Sequence, residues 1–292
     1  MRNIFIVGAS GLIGGALYNN LSDDEYNVIG TYSKNKEDNL VHFDMLKPDY
    51  KIFNSLNSED VVFIMTAYSN PNWISENKAE AKLLNLDKTC ELIDVLSKRN
   101  PKIVFMSSVE IFDGTKGSYI ENDEPNPLNY YGELKLKVEK YLINNYSNHC
   151  IVRTGWNVGL NKKSRCVIQL TYETLLSPSA KMATDNFFSL AFVEDTAVGL
   201  TKLINNSSIK KIHLCSDTIL KRTDLADMII EYSNKSDSMK YVNCLFEDIT
   251  YKEPRGRVNN LVNKLSIDLL KMNYLSVENI ICKKVNYLDK II

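Results

Sequence analysis

Tyr131 and Lys135 stand four residues apart in the run Tyr131-Gly132-Glu133-Leu134-Lys135, a spacing that puts both on one face of a helix. An ammonium beside a phenol stabilises the phenolate and lowers the phenol's pKa, so the pair reads as a general acid or base near neutral pH. Upstream, Ile103-Val104-Phe105-Met106 reads as a strand that runs into Ser107-Ser108, which would set the Ser108 hydroxyl at the carboxyl edge of a sheet. A third constellation, Gly8-x-x-Gly11-x-x-Gly14, follows an apolar run and opens a helical pattern. Glycines there let the backbone approach a pyrophosphate, and the helix N-terminus supplies oriented N–H donors. A turn that merely needs glycine is the plainer reading, but the strand–turn–helix context favours a dinucleotide.

Those residues need elements to hold them. Residues 3–7 are the apolar run before the glycines, and Ala16, Leu17, Tyr18 and Leu21 follow at helical spacing. Strands are expected at 26–31, 40–43 and 61–65, the last as a continuous apolar run buried on both faces of a parallel sheet. A helix is expected over 76–98, a strand over 102–106, a helix over 131–144 and a strand over 150–153. That alternation predicts an α/β fold, a Rossmann-type doubly wound parallel sheet. Past Gly159 the rhythm loosens into a helix from near Glu194, a strand at 211–215 that could return to the sheet, and a helix at 223–232 with Thr223 as N-cap. The expected division is a dinucleotide-binding domain over 1–160 and a smaller interleaved α/β substrate domain over 161–292, with about 190–216 returning to the first.

Composition narrows the function classes. The 292 residues carry 35 Lys+Arg against 36 Asp+Glu, which argues against a coat for nucleic acid or for an anionic membrane. The six cysteines and three histidines are scattered without C-x-x-C or other ligand spacing, so no metal is expected and a reducing compartment fits. No apolar run approaches the roughly 20 residues that span a bilayer, and a cytoplasmic protein is expected. At the end of the second strand, where an NAD-preferring site carries Asp or Glu, the chain reads Thr31-Tyr32-Ser33-Lys34-Asn35-Lys36. A hydroxyl and two ammonium groups there suit the 2′-phosphate of NADPH, with NADH as the alternative and solvated loop lysines as the plain reading. Asp44 is placed to meet the adenine edge or simply to cap a turn.

These motifs together resemble the extended short-chain dehydrogenases/reductases, and among them the dTDP-4-dehydrorhamnose reductase family. The resemblance spans nearly the whole chain: Gly8 to Gly14, Ala67-Tyr68-Ser69, Ser107-Ser108-Val109-Glu110-Ile111-Phe112-Asp113-Gly114, Asn126-Pro127-Leu128-Asn129-Tyr130-Tyr131-Gly132 with Lys135, Arg153-Thr154-Gly155-Trp156, residues 185–195, and Pro254-Arg255. It implies NADPH-dependent reduction of the 4-keto group of a nucleotide-diphospho-4-keto-6-deoxysugar in polysaccharide or glycan precursor synthesis. Tyr131 would donate the proton, Ser108 would hold the carbonyl oxygen and Lys135 the nicotinamide ribose. It further implies cofactor contacts from Gly8, Ser10, Gly11, Leu12, Ile13, Gly14, Ser33, Lys34, Asp44, Met45, Ala67, Tyr68, Tyr131 and Lys135. Substrate contacts would come from Ser108, Val109, Glu110, Trp156 and Arg255, with Arg257 beside it. The superfamily's dimer-forming elements correspond to the helices at 76–98 and from Tyr131, so a homodimer is expected.

The chain departs from the family pattern at four places. The common Ser-Thr-Asp-Tyr is Ser107-Ser108-Val109-Glu110, which keeps the hydroxyl and introduces an acid. In related dehydratases an acid at the place of Glu110 removes a sugar proton, but Val109 replaces their preceding Asp, which disfavours elimination and leaves epimerisation open. The loop Asn70-Pro71-Asn72-Trp73 lacks an acid common in the family, and Gly155 replaces a common Ser. The least family-like stretch is 158–176, where the base would be read. Two other readings stand beside the reductase: an epimerase or epimerase-reductase using Glu110, and a non-catalytic NADP-binding regulatory subunit like that of methionine adenosyltransferase, which retains the Tyr/Lys pair.

Overall fold

The computed structural model describes residues 1–21, 25–160 and 166–292. Seven strands lie side by side in the order Lys211–Leu214, His149–Thr154, Lys102–Met106, Val61–Ile64, Arg2–Val7, Tyr26–Tyr32 and Val41–His42, and every neighbouring pair is parallel. Side chains alternate across this sheet. Ile4, Ile6, Val61 and Phe63 face Leu17, Ala197 and Leu200 of the helices Leu12–Asn20 and Val193–Leu203. Phe5, Val7, Val62 and Ile64 face Leu92, Leu96, Val138 and Leu142 of Thr89–Ser97 and Tyr130–Asn145. Both faces are thus covered, which is why Val61–Ile64 and Lys102–Met106 are buried along their whole length. Successive strands are added outward from Arg2–Val7 in one direction and then, from Val61–Ile64 on, in the other. The crevice outside the carboxyl ends of those two strands is where open α/β sheets bind ligands.

A second core gathers the helices Val167–Leu175, Arg222–Tyr232 and Val277–Ile291 around Phe188, Leu190 and Phe192. Phe187–Phe192 is the centre of a small sheet, pairing with Ile219–Lys221, Val258–Asn259 and Trp156–Val158. The chain crosses between the two cores several times. The segment from Val193 to Leu214 packs on the large sheet, and so do Leu270 and Met272 near the end of the chain.

Two expected elements differ. The helix expected over 76–98 is interrupted: Pro71–Glu76 ends at Asn77, whose φ/ψ of −124°/45° leaves the helical region and whose side chain binds the Trp73 carbonyl (2.8 Å). The chain then resumes as Lys78–Lys82, a π-helical turn over Leu83–Lys88, and Thr89–Ser97. Thr223 is not an N-cap. The helix begins at Arg222, and Asp224 accepts the Lys221 N–H (3.0 Å), which moves the start upstream and leaves Thr223 inside the first turn. Among the described residues no helix is long and apolar enough to cross a membrane, and no three His, Cys, Asp or Glu side chains gather as metal ligands would.

Candidate active site

The buried strand Lys102–Met106 delivers Ser108 to the crevice, where its hydroxyl accepts the Glu110 N–H (3.2 Å) and caps the short turn Val109–Ile111. Opposite, Asn129 caps the helix Tyr130–Asn145 by accepting the Gly132 N–H (2.9 Å), which fixes Tyr131 in the first turn. The two elements touch through Gly132: a Cβ there would lie 2.0 Å from the Glu110 carbonyl oxygen, so only glycine allows this approach. The result brings Tyr131 and Ser108 together on the lining of one cavity.

Lys135 lies one turn on, as its spacing predicts. Its ammonium donates to the Met106 carbonyl (2.7 Å) and sits 4.7 Å from the Phe105 ring centre and 5.8 Å from that of Tyr131. Burial lowers its pKa to about 8. The Tyr131 phenol is not lowered. Burial raises its pKa, the charge of Glu110 raises it further, and the nearby Ser108 hydroxyl only partly offsets them. Tyr131 is therefore a protonated phenol across the physiological range, the form a proton donor needs.

A cavity of about 540 Å³ opens from this pair. Ser108, Glu110, Tyr131, Trp156 and Arg255, predicted from scattered parts of the sequence, all line it, together with Arg222, which was not. Trp156 stacks on Phe188 (4.5 Å between centres, 13° between planes), and the Arg222 guanidinium carbon lies 4.9 and 5.0 Å from the two centres. A point that far from two rings stacked so closely lies beside the stack, so Arg222 flanks the Trp156 edge. Arg222 also donates to Thr171 (3.2 Å), and burial lowers its pKa to about 10, within the range where it stays cationic at neutral pH. Lys181 and Arg255 add two more cations to the lining. Arg257 does not join them; its guanidinium pairs with Asp185 (3.4 Å). Val109 does not line the cavity either. It is fully buried in an apolar cluster with Ile111, Phe112 and Leu261. Residues 161–165, part of the stretch where the base would be read, lie outside the described residues; Val167 and Leu170 from the following helix line the cavity.

The glycine turn has the shape of a dinucleotide cradle. Gly8 adopts φ +98°, and a Cβ on it would lie 2.7 Å from Thr66 Oγ1. A Cβ on Gly14 would lie 2.2 Å from the Gly8 carbonyl oxygen, so the space is open only to glycine. The helix Leu12–Asn20 starts at Gly11 without a side-chain cap, its opening N–H groups turned toward the cradle; Ser10 sits in the same turn, its N–H on the Thr31 carbonyl. Leu12 and Ile13 occupy the first turn, half-buried. The residues present fit a dinucleotide. Past the strand Tyr26–Tyr32, Ser33 is half-buried while Lys34 and Lys36 are exposed. Asp44 makes the turn-capping contact, accepting the Leu46 N–H (3.0 Å), and Met45 is buried in the core. Ala67 and Tyr68 follow the strand Val61–Ile64 at its carboxyl end.

Three buried polar residues that sequence reading did not single out hold this arrangement. Asn85, in the π-helical turn, binds both the N–H (2.9 Å) and the carbonyl (2.8 Å) of Tyr68. Asn129 donates to Glu110 Oε2 (2.7 Å) and to the Pro254 carbonyl (3.2 Å), tying the Tyr131 helix to the segment that carries Arg255. Glu139 pairs with Arg153 through two hydrogen bonds (3.0 and 2.7 Å), both groups about 1% exposed, one turn past Lys135 on the same helix face. A polar residue at an apolar helical position was the available signal for Asn85 and Glu139. Gly155 also finds its reason: a Cβ there would lie 2.4 Å from the Ser189 carbonyl oxygen.

Comparison with known proteins follows the same lines. The family described as the RmlD substrate binding domain matches residues 1–265. Methionine adenosyltransferase 2 subunit beta of Bos taurus is 28% identical over 163 residues, 52% of this chain and 46% of that protein, so the chain spans about half the length of this curated relative. The probable low-salt glycan biosynthesis reductase Agl14 of Haloferax volcanii is 23% identical over 236 residues, 78% of this chain and 79% of that one. The dTDP-4-dehydrorhamnose reductase of Bacillus anthracis, solved in complex with NADP, shares the fold with a TM-score of 0.80 at 20% identity, covering 96% and 98% of the two chains. With the glycine cradle and the Ser/Tyr/Lys set in place, the chain belongs to the RmlD substrate-binding-domain family, the sugar-nucleotide reductase-like group of extended short-chain dehydrogenases/reductases.

Proposed function

We propose that this protein reduces the 4-keto group of a nucleotide-diphospho-4-keto-6-deoxysugar with NADPH, in the synthesis of a glycan precursor. One observation carries the reading: a single cavity joins Ser108 and the protonated Tyr131 to Trp156 and three cations, Lys181, Arg222 and Arg255. The cations suit a diphosphate, and the indole of Trp156 in the lining suits a sugar or base. NADPH would lie on Gly8 to Gly14 with its nicotinamide ribose near Lys135, and bound there it supplies the hydride. Ser108 orients the carbonyl oxygen, and Tyr131 gives its proton to that oxygen as negative charge develops on it. Lys135 keeps a fixed positive charge beside the pair. The NADP in the Bacillus anthracis structure and the glycan-synthesis role in the name of the Haloferax relative support the cofactor and the pathway class.

The test is an NADPH-oxidation screen against freshly made dTDP-, GDP- and CDP-4-keto-6-deoxysugars, with the product identified by NMR. Turnover with at least one is the expected result. The similarity to methionine adenosyltransferase 2 subunit beta favours one other reading, an NADP-binding regulatory subunit. Binding of NADPH without oxidation of it by any keto-sugar, together with co-purification of a synthetase, would establish that reading instead. Epimerisation has its own signature: solvent deuterium at C3 or C5 of the keto-sugar with the wild type and not with Glu110→Gln.

Cofactor choice rests on Lys34. Lys34→Glu is expected to weaken NADPH binding by roughly tenfold, the scale of one exposed charge–phosphate contact reversed in sign, while NADH binding changes little. Titration by nicotinamide fluorescence reads both, and unchanged NADPH affinity removes Lys34 from the site.

A further inference from the structure

Glu110 is the one carboxylate among the described residues that line the cavity, two residues past Ser108. Its side chain is 8% exposed. The charge is held by neutral amides: Asn129 Nδ2 on Oε2 (2.7 Å) and Asn259 Nδ2 on Oε1 (3.4 Å), both asparagines buried. This contrasts with Glu139, whose buried charge is matched by Arg153. A carboxylate offers about four acceptor sites, so two amide donors leave capacity for a ligand's donor. A buried charge without a countercharge is costly, and a positively charged or donor-rich ligand group relieves that cost. Glu110 lines the same cavity as Ser108 and Tyr131, and its backbone packs against Gly132, the residue after Tyr131, so a sugar held by that pair would have Glu110 as a neighbour.

We infer that Glu110 is a specificity-determining residue that ranks keto-sugars by the group on the carbons flanking the carbonyl: amino above hydroxyl, and hydroxyl above carboxylate. The inference rests on the reductase reading and deepens it. An ammonium there supplies the missing countercharge, a hydroxyl supplies one donor, and a uronate meets a like charge in a desolvated place. The geometry that fixes the ranking is the pair of amide clamps, which stop the carboxylate from turning away.

Three probes test it: one nucleotide-diphospho-4-keto-6-deoxyhexose with a 3-hydroxyl, its 3-amino analogue, and the matching 4-keto-uronate. For the wild type, kcat/KM is expected to fall by at least about tenfold from amino to hydroxyl and again from hydroxyl to uronate. In Glu110→Gln, which keeps an oxygen for one clamp and loses the charge, both ratios should shrink to within about threefold of unity. Glu110→Asp, which keeps the charge, should preserve the order. A Glu110→Gln ranking equal to that of the wild type, or a wild type that takes the uronate as well as the hydroxyl sugar, overturns the inference. Calorimetric binding of the same three nucleotides to wild type and Glu110→Gln reads the ranking without turnover, so loss of the reductase reading and loss of the ranking are told apart.

Discussion

Tyr131→Phe is expected to lower kcat for keto-sugar reduction by about 10³-fold, within the usual 10²–10⁴ range for removal of a positioned general acid. NADPH affinity should stay within a factor of about two, because the glycine cradle and Lys135 are untouched. The loss falls on kcat since the proton is needed only as charge develops on the carbonyl oxygen. The pH profile carries a second signature. Tyr131 is held protonated by burial and by Glu110, so it does not set the basic limb. Lys135, whose pKa burial lowers to about 8, must be cationic to act, and kcat/KM for reduction should therefore fall as pH rises through about 8. In Lys135→Arg, which stays charged, that limb should move upward. Steady-state NADPH oxidation measures all of this, and a Tyr131→Phe enzyme with full turnover rejects the mechanism.

Glu139→Ala should destabilise the fold by about 3–5 kcal/mol, the usual cost of removing one partner of a buried ion pair. Arg153 and Glu139 are both about 1% exposed and share two hydrogen bonds, and Arg153 also donates to the Glu121 carbonyl (3.1 Å) and lies 5.2 Å from the Phe112 ring centre. Removing Glu139 leaves a guanidinium buried with one carbonyl as its remaining acceptor. Its neighbour His213 is already pushed down to about 3, first by burial and then by Arg153, so it supplies no compensating change in the neutral range. The exposed pair Lys82–Asp87 sets the contrast: Asp87→Ala there should change stability by less than about 1 kcal/mol. Urea unfolding followed by circular dichroism gives both numbers. A Glu139→Ala midpoint equal to that of Asp87→Ala contradicts the account of the core.

The chemistry was more legible than the scaffolding. Spacing alone put Lys135 one turn from Tyr131, and the apolar run into Ser107-Ser108 put Ser108 at the sheet edge, because both follow from local periodicity. The doubly covered sheet was legible for the same reason: fully apolar strands such as Val61–Ile64 have one home. Residues that act across the fold were not. Arg222 reaches the cavity because Arg222–Tyr232 packs beside Phe187–Phe192, a long-range pairing that no local pattern encodes. Arg257 lies two residues from Arg255 in sequence and is claimed by Asp185. The upward direction of the Tyr131 pKa was not legible, because spacing reports Lys135 but not the desolvation of the phenol or the nearness of Glu110, the two causes that raise it. The break at Asn77 likewise depends on one side chain choosing the Trp73 carbonyl over helix propagation.

The most direct test of the central claim follows one atom. NADPH deuterated at the transferable C4 position of the nicotinamide is incubated with the protein and the keto-sugar nucleotide that turns over, and the product is read by proton and deuterium NMR. Deuterium at C4 of the sugar, with none at C3 or C5, is the predicted result. A product carrying solvent-derived hydrogen at C3 or C5, or a keto-sugar recovered without label while NADPH stays bound, contradicts it.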